Sequence, residues 1–180
     1  MLALPPEQIA QVAEGEPTVF VANLPYNVAA TIILQFFQTM PALKRAVVMV
    51  QKEVADRIAA APGNRIYGGY TAKLGLYGTV TGRFEVPPRC FMPAPHVDSA
   101  VVRIDRVDMA LPDGLGEEQV ARVIDAAFAQ RRKTIRNSMS ANGFEKEVLD
   151  VAFAAAGIPL DRPVLQEAVV QLGTVPVAPF

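Results

Sequence analysis

Two short apolar runs, TVFVAN at residues 18–23 and RAVVMVQ at 45–51, each break off and pass at once into a helical pattern. That rhythm constrains the fold more than anything else in the chain. Both runs are rich in β-branched residues and too short for helices, so they read as strands. After the first, Val28, Ile32, Ile33, Phe36 and Phe37 recur at helical spacing until Pro41. After the second, KEVADRIAA continues as a helix closed by Pro62-Gly63. Strand, helix, strand, helix in this order predicts an α/β protein with a parallel sheet.

The pattern then changes. NRIYGGYTAKLGLYG is glycine-rich, with helical spacing in its second half. TVTGRFEVP and SAVVRIDRV read as strands, and the proline-rich PPRCFMPAPHVD between them predicts an antiparallel hairpin at the end of the sheet. Beyond ALPDGLGEE every signal is helical. Val120, Val123, Ile124 and Phe128 share one helix face, and EKEVLDVAFAAAG and PVLQEAVVQLG give two further short helices ended by glycine. A boundary near Leu111 to Gly116 divides a core of residues 1–110 from a small helical domain of 115–180.

Composition narrows the function. Half the residues are hydrophobic (51%) and 19% are charged, which is ample material for a globular core. The net charge of −1 confines any nucleic-acid role to a local patch. One cysteine (Cys90) and one histidine (His96) exclude a disulfide framework and a Cys/His zinc cluster, so no metal is expected. The opening residues lack a positive n-region and a long apolar core, and no run of about 18 apolar residues occurs anywhere. The expectation is a soluble cytoplasmic protein without a membrane partner.

The most informative interruption is the NLPYN that follows the first strand. A strand end in an open α/β sheet is where ligands bind. There Asn23 offers an amide oxygen, Leu24 a carbonyl, Pro25 a stiffened turn without an N–H, and Tyr26 a flat face for stacking a base. Two acceptors beside an aromatic plate suit an exocyclic amine such as N6 of adenine, and would offset positive charge developing on that nitrogen. The plainer alternative is an ordinary strand-to-helix turn in which Asn27 caps the helix.

NLPYN, MVQKEVADRI, YGGYTAKLGLYG, FMPAPHVDSAVVRI and RRKTIRNSM, in this order, resemble the KsgA-type rRNA adenine N6,N6-dimethyltransferases from about residue 17 onward. The resemblance implies a partial Rossmann-like methyltransferase sheet ending in an antiparallel hairpin and followed by an all-α domain. It also implies S-adenosylmethionine as cofactor and adjacent adenines of small-subunit rRNA, within the 30S particle, as substrate. By position, Asn23 is placed at the junction of cofactor and substrate. Leu24 and Pro25 supply the backbone that receives the amine, Tyr26 the stacking ring, and Phe91 the second aromatic that closes over the base. No strong general base is required, because a methylated ammonium loses its proton to water, and His96 is given no catalytic role.

Two family features are not found. No Gly-rich loop follows an early strand, and no acidic residue ends a second one. The first strand present corresponds to the fourth of that fold. The expected reading is the C-terminal portion of a dimethyltransferase, inactive alone, whose TVFVAN strand is a bared apolar edge open to self-association.

QRRKTIRNS concentrates Arg131, Arg132, Lys133 and Arg136. These cations suit rRNA phosphates, and equally a solvated helix end whose charge complements the helix dipole. Phe91 suits base closure or simple packing beneath its loop. Tyr67, Tyr70 and Tyr77 read as packing residues, Lys52 and Glu53 as a polar pair at a strand end, and Cys90 as a small apolar residue. Two other functions stay open: an amino-methyltransferase acting on DNA, and a non-catalytic module that docks on the small subunit during assembly. Leu24 in place of a proline and the basic tail speak against the DNA enzyme.

Overall fold

A four-stranded sheet of order β1-β2-β4-β3 organises the first part of the chain. The computed structural model describes residues 15–109, 111, 114–161 and 163. Strand β1 (Val19–Asn23) leads through helix α1 (Ala29–Thr39) to β2 (Arg45–Gln51), and helix α2 (Lys52–Ile58) follows directly. Strands β3 (Gly78–Val86) and β4 (Ser99–Arg106) form the hairpin. The β1–β2 pair is parallel and the β2–β4 and β3–β4 pairs are antiparallel, so the expected hairpin is present with β4 inserted beside β2.

One face of this sheet is dry. Ala46, Val48 and Val50 of β2 and Ala100, Val102 and Ile104 of β4 are fully buried, alternating with half-exposed neighbours as a period of two requires. Helix α1 seals that face with Ala29, Ile33 and Phe37, and Phe36 packs on Phe20 of β1 with ring centroids 4.5 Å apart. On the opposite face Val21 is 72% exposed and Phe84 60%. The composition of β1 is that of an interior strand, yet it lies at the edge, with Val19 also exposed. Asn27 does not cap α1: the Pro25 carbonyl accepts from the Val28 N–H at 3.2 Å, and this closed turn leads into the helix without a side-chain cap.

Arg45, Arg103 and Thr81 converge on Asp105, with Arg45 Nε at 2.5 Å and Arg103 Nη2 at 2.9 Å. The Thr81 hydroxyl, then Arg45 and Arg103, hold this carboxyl well below the ordinary carboxylate range. A depressed folded-state pKa contributes stability above the unfolded value that is lost as pH falls through the folded one. Asp105→Asn is therefore expected to melt below wild type at neutral pH, with the gap closing as pH drops below about 4. Paired thermal melts across that range check it; a gap that is constant with pH would remove the ion cluster as its cause.

The remaining chain forms a second unit of Ala60–Leu76 and Met109–Phe180. Its helices are α3 (Gly69–Gly75), α4 (Glu117–Phe128), α5 (Ile135–Ser140) and α6 (Lys146–Ala155). Segment 60–76 thus belongs with the helical tail rather than with the sheet, unlike the single division near 110–115 read from sequence. The reason is local packing. A Cβ on Gly69 would stand 3.2 Å from Phe128 Cβ, so the absent side chain lets α3 lie against α4. The Tyr67 ring lies tilted against Phe128 with centroids 6.0 Å apart, and Lys73 pairs with Asp125 at 2.7 Å. The Gly114-Leu115-Gly116 triplet opens α4, where Gln119 Oε1 accepts from the Gly116 N–H at 2.5 Å; it is no phosphate loop behind a strand. The further helix expected over PVLQEAVVQLG lies outside the described residues from position 164 onward.

Candidate functional site

Asn23 is the last residue of β1, paired with Met49, and its side chain is exposed. Its amide has no hydrogen-bond partner among the described residues. Leu24 turns inward, 7% exposed, and its N–H donates to the Met49 carbonyl at 3.1 Å. Among the described residues no main-chain N–H reaches the Leu24 carbonyl, whereas the Pro25 carbonyl is occupied by Val28. Of the two backbone acceptors read from the sequence, Leu24 is the uncommitted one. Among the described residues the amide of Asn23 and the carbonyl of Leu24 thus stand as successive uncommitted acceptors at a strand's carboxyl end.

Tyr26 follows in the turn, half-buried, with its hydroxyl 2.6 Å from Ser99 Oγ at the start of β4. The ring is held by its polar tip while part of it stays accessible. Phe91 lies just beyond a short 3₁₀ turn (Pro88–Cys90) in the β3–β4 connection, partly buried, its N–H bonded to the Pro88 carbonyl at 3.1 Å. No ring pair joins Phe91 to Tyr26 among the described residues. The connection returns through Asp98, whose carbonyl accepts from the Lys52 N–H at 2.9 Å. Cys90 is exposed there rather than packed.

An open cleft of about 390 Å³ lies beside α2, lined by Gln51, Lys52, Glu53, Asp56, His96, Val97 and Asp98. Neither Asn23 nor Tyr26 lines it. Lys52 pairs with Glu85 and, at 3.8 Å, with Asp56, while Arg83 binds Asp56; among the described residues the partners of Lys52 are therefore Glu85 and Asp56 and not Glu53. The Lys52 hydrogen bond lowers the pKa of Glu85. Among the described residues no group of His, Cys, Asp and Glu side chains is arranged to hold a metal.

The four cations of the basic segment divide into two kinds. Arg131 donates to the carbonyls of Arg65 (2.8 Å) and Tyr67 (3.0 Å), fastening 60–76 to the tail. Arg136 grips Asp150 through both oxygens, at 2.5 and 2.7 Å, which lowers the carboxyl's pKa. Arg132 and Lys133 are exposed and have no ion-pair partner among the described residues. Helix α5, which the sequence reading missed, begins here: Thr134 is its N-cap and accepts from the Asn137 N–H at 3.3 Å. A threonine at the head of IRNSMS was the available signal.

A sequence profile described as "Ribosomal RNA adenine dimethylase" matches residues 2–172. The chain belongs to the ribosomal RNA adenine dimethylase family. Among relatives of this dimethylase-family chain, the ribosomal RNA small subunit methyltransferase A of Rhodococcus opacus is 46% identical over 147 residues, 81% of this chain and 50% of its own length. That of Thermobifida fusca is 41% identical over 151 residues, 84% and 52% of the two lengths. The chain therefore spans about half the length of the curated relatives it matches. A solved dimethyladenosine transferase from Plasmodium falciparum superposes with a TM-score of 0.70 at 24% identity, over 86% of this chain and 64% of the other. The 23S rRNA methyltransferase ErmE superposes with 0.65 at 23% identity, over 88% and 65%. Both show that the dimethylase-family chain shares the α/β methyltransferase fold. Among the described residues no helix is long and apolar enough to cross a membrane.

Proposed function

We propose that this chain carries the base-binding and RNA-contacting half of an S-adenosylmethionine-dependent rRNA adenine N6,N6-dimethyltransferase acting on the small subunit. The observation that carries the reading is the pair of uncommitted acceptors, Asn23 and Leu24, beside the anchored Tyr26 ring in a member of this family. Accepting both N–H bonds of an adenine amine orients its lone pair and stabilises the cation that forms on the nitrogen. Tyr26 holds the flipped base by stacking, and Phe91 supplies a second apolar surface. S-adenosylmethionine, when bound, supplies the electrophilic methyl group. Among the described residues the exposed Asn23 amide is the group that would meet one end of that cofactor.

Calorimetric titration with S-adenosylmethionine tests this directly, with the chain joined behind the upstream half of a relative as control. Binding by the extended chain alone supports a divided site. Binding by the isolated 180-residue chain would mean the cofactor is held differently. The second reading is a non-catalytic module that docks on the small subunit through the exposed Arg132 and Lys133. Failure of 30S particles to retain the chain at low salt would end it. Among the described residues β1 has no strand on its outer side, and the exposed Val19 and Val21 support self-association; a monomer at every concentration in sedimentation would remove that proposal.

For RNA, Arg132 and Lys133 are the cations left to meet phosphates, while Arg131 and Arg136 shape the segment. Replacing Arg132 and Lys133 by alanine is expected to cut the slope of log affinity against log salt by about 1.4 for single-stranded RNA. The unfolding midpoint should stay put. An unchanged slope would place the RNA elsewhere.

A further inference from the structure

We propose that Ser99 is a positioning residue that fixes the plane of the Tyr26 ring, and so the plane in which a base stacks. The use made of the ring rests on the methyltransferase reading above; the tether itself does not.

Ser99 is fully buried at the first position of β4, in register with Gln51 of β2 on one side and Val86 of β3 on the other. It is thus one of the best-anchored points in the sheet. Alanine has almost the same volume, so packing alone does not account for a hydroxyl there, and a buried hydroxyl needs a partner. That partner is Tyr26 Oη, 2.6 Å away and 73 positions distant in sequence. A phenolic O–H and its in-plane lone pair lie in the plane of the ring. A hydrogen bond at the tip, off the Cβ–Cζ axis, therefore selects one ring orientation as well as pinning the oxygen.

The location adds to this. Tyr26 sits in the turn after β1, an end strand of the sheet, and its ring is only half-buried. The bond to Ser99 ties that ring to the sheet. Ser99 is also where the Phe91 connection rejoins the sheet, next to Asp98, which the Lys52 N–H holds. One hydroxyl contact so references the Tyr26 turn to the segment bearing the second aromatic. With the polar tip occupied internally, the face of the ring is what remains for a ligand.

The chain has four tyrosines and no tryptophan, so ¹³C-tyrosine labelling gives a spectrum in which Tyr26→Phe assigns one residue by its loss. In the wild type the two edges of the Tyr26 ring are expected to differ. Ser99→Ala should average the edges, with the other three tyrosines unmoved. Unchanged Tyr26 signals in Ser99→Ala overturn the proposal. Single-stranded oligoadenylate then probes the consequence. Ser99→Ala and Tyr26→Phe should each weaken binding about tenfold, and the double variant no further, because both act through one bond. Additive losses overturn the proposal, and Tyr26→Phe tests it even if Ser99→Ala does not fold. Altered Tyr26 signals without any oligoadenylate binding by the wild type uphold the tether and overturn the base-binding reading instead.

Discussion

Asn23→Ala is expected to lower methyl transfer to small-subunit rRNA by about 10²–10³-fold, read in this chain joined behind the upstream half of the Rhodococcus opacus relative. The size follows from when the interaction matters. An adenine amine is neutral before transfer and cationic after it, so an acceptor on its N–H bonds strengthens as the reaction proceeds. Such an interaction lowers the barrier more than it tightens ground-state binding, and kcat should fall more than KM rises. Asn23→Asp retains an acceptor at the same place and should keep more activity than alanine. Because the Asn23 side chain is exposed and has no partner among the described residues, removing it leaves nothing buried and unsatisfied. The unfolding free energy of the isolated chain should therefore change by less than about 0.5 kcal/mol. Full transfer by Asn23→Ala would take this residue out of the amine socket.

Apart from α5, the order of the described strands and helices was legible because each apolar run is short and each of these helices keeps its period. The core faces follow from the same pattern: Val48, Val50, Val102 and Ile104 fall on one side by alternation alone. What the sequence concealed depends on contacts between distant segments. The four clustered cations look alike as text, and only the carbonyls of Arg65 and Tyr67 and the carboxylate of Asp150 separate Arg131 and Arg136 from Arg132 and Lys133. Asn27 has the chemistry of a cap, but a backbone bond from Val28 to Pro25 had already closed the turn. Of the site, Asn23 and Tyr26 were readable as types at a strand end. The Ser99 tether was not, since no local signal in DSAVVRI points 73 residues back.

Arg106→Ala is expected to cost about 2–4 kcal/mol of stability, among the largest effects of any single side chain here. In the sequence this residue is an unremarkable charge at the end of a strand. In the fold its guanidinium donates to the carbonyls of Phe37 (2.7 Å), Met40 (2.9 Å) and Leu43 (2.5 Å) and stacks 5.2 Å from the centre of the Phe37 ring. Phe37 lies in the last turn of α1 and Met40 is its C-cap, where carbonyls lack intrahelical partners and a cation also meets the negative end of the helix dipole. One side chain therefore closes α1, holds the turn into β2 and joins both to β4. Alanine leaves the Phe37 and Leu43 carbonyls to water that must enter beside these fully buried residues, strips one of two donors from the Met40 carbonyl, which keeps the Leu43 N–H, and removes the cation over the ring. Lysine restores the charge but not the planar fork, so Arg106→Lys should recover only part of the loss. In urea the alanine variant's midpoint should drop with an unchanged slope. A midpoint equal to wild type would mean that solvent satisfies those carbonyls as well as Arg106 does.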